Sequence, residues 1–147
     1  QLLSYPTLYI SYFLKRNRIE YYDRLTQVRE KGDFEKWVKF FLQGIYESAE
    51  DSIKTIDALE ALHNKYLAAI AAVDTRTGIL KKLFAYLEQT PIIDIKKTAI
   101  ALGSAYNTTS TAVKKLIELG VLAQVDNSKR ERSFAYEEYL AILRKDT

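Results

Sequence analysis

The sequence predicts a mainly α protein, with a helical first half followed by a small helix-turn-helix unit that carries a two-stranded hairpin. Three observations predict it. Apolar residues recur at helical spacing from Leu8 to Val73 with few breakers. From Asp94 to Gly120 the chain reads as helix, tight turn, helix, bounded by residues that cap and stop helices. Beyond Gly120, two short runs, Val121 to Val125 and Ser133 to Tyr136, read as strands around the polar stretch Asp126-Asn127-Ser128-Lys129-Arg130-Glu131-Arg132.

Taken in order, Pro6 suits the first turn of a helix whose Leu8, Tyr9, Tyr12 and Phe13 recur at helical spacing. Arg16-Asn17-Arg18 is a polar break. A second helix is predicted from about Ile19 to Arg29, with Ile19, Tyr22, Leu25 and Val28 on one apolar face; Gly32 stops it and Asp33 caps the next. From Phe34 a long helix carries the stripe Trp37, Phe41, Ile45, Ala49, Ile53, Ile56 and Leu59, continued by Leu62, Tyr66, Leu67 and Ile70 to Val73. Gly44 weakens that helix by roughly 1 kcal/mol relative to alanine without ending it. Asp74-Thr75-Arg76-Thr77-Gly78 reads as a linker, so two domains are expected, 1–73 and 74–147. In the second, Ile79 to Glu88 is a short helix with Ile79, Leu80, Leu83, Phe84 and Leu87 inward, ended by Thr90-Pro91. Asp94 caps the next helix, which carries Ile95, Ala99, Ile100 and Leu102, and Gly103 terminates it. Ser104-Ala105-Tyr106 makes the turn, Asn107 or Thr108 caps the third helix, and Ala112, Val113, Leu116 and Leu119 face inward. Glu137 to Leu143 closes the chain as a helix.

Composition narrows the function classes. With 48% apolar and 12% aromatic residues in 147, the chain has the means to build a packed core. It has no cysteine, which excludes disulfides and thiolate metal sites, and a single histidine, His63, which excludes a histidine-cluster metal site. No apolar run approaches the roughly 20 residues that span a bilayer, and the opening residues lack the basic start of a secretory signal. A cytoplasmic protein with no membrane partner is expected. The abrupt start in an apolar, aromatic segment, Leu2-Leu3-Ser4-Tyr5-Pro6-Thr7-Leu8-Tyr9-Ile10, reads as a piece of a longer protein. Ten of the 22 Lys/Arg and ten of the 19 Asp/Glu fall in residues 1–73, so the whole excess of +3 lies in the second half.

That half carries the candidate nucleic-acid face. A recognition helix needs small polar and basic residues on its outward N-terminal side, where they reach base edges while cations hold phosphates. Tyr106, Asn107, Thr108, Ser110, Thr111, Lys114 and Lys115 meet that need. Lys129, Arg130 and Arg132 sit on the hairpin, placed for backbone phosphate or the minor groove. Helix-turn-helix plus hairpin is the winged helix-turn-helix arrangement, with DNA as the expected partner. The same fold also serves for dimerisation or protein docking, and a net charge of +3 is well short of a strongly basic binder.

The first half carries a family resemblance. Leu2-Leu3, Pro6, Leu8-Tyr9-Ile10-Ser11, Tyr12-Phe13, Arg16-Asn17-Arg18 and Glu20-Tyr21-Tyr22 resemble the C-terminal part of the Fic (filamentation induced by cAMP) core. Leu25, Val28-Arg29, Gly32-Asp33, Trp37, Phe40-Phe41-Leu42 and Gly44 continue the pattern. The helix-turn-helix behind them looks like the C-terminal domain of many bacterial Fic proteins. The resemblance implies a protein adenylyltransferase that moves AMP from ATP, with a divalent cation, to a hydroxyl of a target protein. The family motif H-x-F-x-[D/E]-G-N-G-R, which supplies the base and the phosphate loop, is absent from these residues, so this chain alone is expected neither to transfer AMP nor to hold a cofactor. His63 has no F-x-[D/E]-G-N-G-R after it and reads as a helix-surface residue. By the same resemblance Tyr21 and Tyr22 contribute to the nucleotide pocket, where an aromatic ring packs on adenine. Near Arg29, some relatives place an asparagine instead. Core packing is the competing reading of both tyrosines. The competing reading of the chain is a winged-helix transcriptional regulator with an N-terminal helical dimerisation domain. A homodimer is therefore a further expected partner, beside DNA and the target protein.

Overall fold

The computed structural model describes residues 9–73, 78–125 and 132–144. Among them the chain is mainly helical, with a small three-stranded antiparallel sheet. The elements are α1 (Ile10–Arg16), α2 (Arg18–Lys31), α3 (Phe34–Val73), α4 (Ile79–Leu87), β1 (Ile92–Asp94), α5 (Ile95–Ala101), α6 (Tyr106–Glu118), β2 (Ala123–Gln124), β3 (Ser133–Ala135) and α7 (Glu137–Arg144). They form two compact units, one ending at Asp57 and the other running Ala58–Arg144. Residues 74–77, read as the linker, lie outside the described residues, as do Leu2 to Leu8 with Pro6. No helix among the described residues is long and apolar enough to cross a membrane.

The first unit is stopped and started where the sequence indicates. Gly32 takes the left-handed conformation at the end of α2 (φ 66°), and Asp33 Oδ1 accepts the Lys36 N–H in the first turn of α3 (3.3 Å). Among the described residues of this unit, Phe13 and Phe40 are the buried apolar side chains, with ring centroids 5.2 Å apart. Gly44 packs there, because the Phe13 ring lies where a Cβ would stand. The apolar face of α2 is not covered by the described residues. Ile19 is 81% exposed and Tyr22 53%, and α2 buries no residue.

The second unit holds the larger core. Leu62, Tyr66 and Ile70 of α3 pack with Leu80, Leu83, Phe84 and Leu87 of α4, Val113 and Leu116 of α6, and Phe134 and Tyr136. The sheet order is β1-β3-β2. In the antiparallel ladders Ile93 faces Phe134, and Gln124 also faces Phe134 from the other side. The sequence reading anticipated β2 and β3 but not β1, which leads into the Asp94 cap and pairs with β3 from Ile92 to Asp94. Thr109 Oγ1 and the Tyr136 hydroxyl are buried with no hydrogen-bond partner among the described residues, and burial pushes the Tyr136 phenol up.

A polar triad ties α3 to α7. Tyr66 OH lies 2.7 Å from Glu138 Oε1 and 3.0 Å from the Gly120 carbonyl, while Lys65 Nζ donates to Glu138 (3.0 Å). The Tyr66 hydrogen bond, then Lys65, holds the Glu138 carboxyl below its ordinary range. A depressed carboxylate stabilises the fold above its unfolded pKa, and that contribution is lost as pH falls through the folded value. The unit's melting temperature is therefore expected to drop as pH falls below the usual glutamate value of 4.5. Glu138→Gln should flatten that slope. Identical slopes in thermal melts of the two proteins would refute the assignment.

Candidate nucleic-acid interface

The site is built on α5, the turn and α6. Asp94 caps α5 as expected, its Oδ1 accepting the Lys97 N–H (2.8 Å). α5 ends at Ala101 and Gly103 turns the chain with φ 60°. The Gly103 N–H donates to Ile100 O (3.1 Å) and the Ser104 N–H to Ala99 O (2.9 Å), so the turn is closed by backbone. Thr98 and Ala99 face inward, whereas Ile100 is 75% exposed. One face of α5 thus presents Lys96, Lys97 and Ile100 to solvent.

α6 is capped two or three residues earlier than expected. Its N-cap is Ala105, in extended conformation, and no side chain caps the helix. Asn107 and Thr108 lie inside the first turn instead. That turn carries no acidic residue and no side chain caps it, so no carboxylate of its own opposes the positive end of the helix dipole. Thr109, Ala112, Val113 and Leu116 anchor the opposite face in the core.

This anchoring decides which predicted residues come together. Asn107, Thr111 and Lys114 fall on one exposed face at helical spacing, flanked by exposed Tyr106 and Thr108. Thr111 Oγ1 donates to Asn107 O (3.0 Å), which leaves its lone pairs outward. Ser110 is half-buried at the edge of the face. Lys115 is also half-buried and is held by Glu118 (2.9 Å), so it is not a free cation. Lys97 is similarly tied to Asp94 (3.3 Å), while Lys96 and Lys114 make no ion pair with a described residue. Arg132 is exposed at the start of β3; Lys129 and Arg130 lie outside the described residues. Sequence reasoning missed Lys96 and Ile100 as part of this surface. The signal was available: Lys96, Lys97 and Ile100 share one side of a short helix.

The second candidate group is on α2. The Tyr21 ring is half-buried against Tyr22 (centroids 5.1 Å) and Trp37 (5.7 Å). Tyr22 is half-exposed, with the Arg18 guanidinium 5.7 Å from its ring centre. That exposure speaks against core packing, the competing reading of this ring. An open cleft of about 390 Å³ adjoins α2 and α3, lined by Asn17, Glu20, Arg24, Lys36 and Lys39 among others, but by neither tyrosine. Its cations are already neutralised, Arg24 by Glu20 (2.7 Å), Lys36 by Asp33 (2.7 Å) and Lys39 by Glu35 (2.6 Å). His63 is a structural link: its Nδ1 meets the Glu88 carboxylate at 2.5 Å and its ring tilts against Phe84. Among the described residues no group of three or more His, Asp or Glu is arranged to hold a metal ion. No protein-family model matches the chain.

Proposed function

We propose that the Ala58–Arg144 unit is a winged helix-turn-helix that docks on duplex DNA, with the Asn107, Thr111 and Lys114 face of α6 in the major groove. The observation that carries the reading is that face itself. It is exposed, uncapped and free of acid in its first turn, and it is backed by a core of buried apolar side chains. β2 and β3 supply the wing, and Arg132 is the described cation on it. On the sequence resemblance, the larger protein would be a Fic-family adenylyltransferase using ATP and a divalent cation. This unit would then be its accessory domain, Tyr22 being the better placed of the two tyrosines to meet an adenine ring. A second reading, a winged-helix regulator with a helical dimerisation domain, is favoured by the exposed apolar surface of α3, where Leu42 and Tyr46 are 57% and 59% exposed.

The test is a fluorescence-anisotropy titration of the 147-residue chain with mixed-sequence duplex DNA over a range of salt. Binding at low salt that weakens linearly in log–log form is expected. Lys114→Ala should weaken it about 10-fold and lower the salt slope by about 1, the share of one phosphate contact. No binding at low salt, or indifference to Lys114→Ala, refutes the reading.

A further inference from the structure

We propose that the chain pairs with a second copy of itself through the exposed apolar face of α3 between Phe34 and Ile56, in an antiparallel two-fold arrangement. Phe34, Val38, Leu42, Tyr46, Ile53 and Ile56 are each 49–63% exposed. At 100° per residue they fall within about a third of the helix circumference, away from the side that buries Phe40 and Ser48. The face is about 34 Å long at 1.5 Å per residue. At roughly 100 Å² per half-exposed large side chain it offers about 600 Å², close to the ~800 Å² each partner gives in a stable complex. Two of the six are aromatic, and Tyr46 lies near the middle, where binding energy concentrates.

The order of the residues selects a second copy as the occupant. Turning α3 end over end about the level of Gly44 and Ile45 sets Phe34 beside the second copy's Ile56, Val38 beside its Ile53 and Leu42 beside its Tyr46. The charges along one flank obey the same symmetry. Lys39 and Glu50 stand within about 20° of each other beside the apolar face, so the same rotation brings Lys39 to the second copy's Glu50. An isologous contact requires this self-complementarity. Within one copy Lys39 is paired with Glu35 (2.6 Å) and Glu50 accepts from the Tyr46 hydroxyl (2.8 Å), both exposed contacts that exchange at little cost. The proposal is independent of DNA binding, since its readout is mass.

Light scattering and sedimentation of the 147-residue chain from about 1 to 100 μM should show two 17.0 kDa chains per particle at the upper end. Leu42→Glu should weaken association at least ~100-fold, with helix content by circular dichroism unchanged because the side chain is half-exposed. Lys39→Glu should weaken it roughly 10-fold, and Lys39→Glu combined with Glu50→Lys should restore it to within about 3-fold. This charge-swap arm keeps the proposal testable if Leu42→Glu misfolds. A monomer throughout overturns the proposal and assigns the face to an unlike partner. A dimer that ignores Leu42→Glu, or a double variant as weak as Lys39→Glu alone, overturns it equally.

Discussion

Truncating Phe84 to alanine is expected to destabilise the Ala58–Arg144 unit by about 3–5 kcal/mol, a large share of the ~5–15 kcal/mol by which domains are typically stable. Phe84 is 1% exposed, and its ring stands 6.0 Å from Tyr136 and 5.5 Å from His63 by ring centroids. It joins α4 to α3 and to the residue that follows β3. Removing it costs the transfer energy of the ring and leaves a cavity bounded by three elements that cannot close independently. Urea unfolding followed by circular dichroism measures the loss. A change under 1 kcal/mol would mean that the core is not packed as described.

The second large effect concerns Gly44. Helix propensity alone says that any substituent there stabilises α3, by up to about 1 kcal/mol. Packing says the reverse, because a Cβ would stand 2.5 Å from Phe13 Cδ1 and 2.7 Å from Cε1. Phe13 is 5% exposed and already against Phe40, so its ring has little room to yield. Overpacking of this kind costs about 1–3 kcal/mol, more than propensity returns. Gly44→Val is therefore expected to destabilise the first unit by about 2 kcal/mol. The loss is read as faster amide hydrogen exchange in α1 and α2. Slower exchange would show that propensity governs this site.

The sequence exposed the helices more fully than their faces. Gly32, Asp33 and Asp94 act as written, because capping is local chemistry that needs only neighbouring residues. The run from Phe34 to Val73 is one helix, as its periodicity predicts. Ile19, Tyr22, Ile53 and Ile56 show where periodicity stops informing: an apolar face identifies a surface to be covered, not what covers it. β1 was missed because it is three residues long and takes its identity from pairing with β3, more than 30 residues away. At the candidate interface, exposed Tyr106, Asn107, Thr108, Thr111 and Lys114 were legible from the helix period. The Lys115–Glu118 pair and the outward turn of Ile100 were not, since both depend on where the core lies. Ala105 at the N-cap departs from composition rules altogether. The usual capping side chain is missing at the start of α6.

The most direct measurement is chemical-shift mapping of the 147-residue chain, titrated with a short mixed-sequence duplex at low salt. The account predicts that the largest perturbations fall on backbone amides from Tyr106 to Lys114 and at Arg132, with Leu80, Leu83 and Leu87 of α4 unmoved. Perturbations confined to other surfaces, or none at saturating duplex, would contradict it.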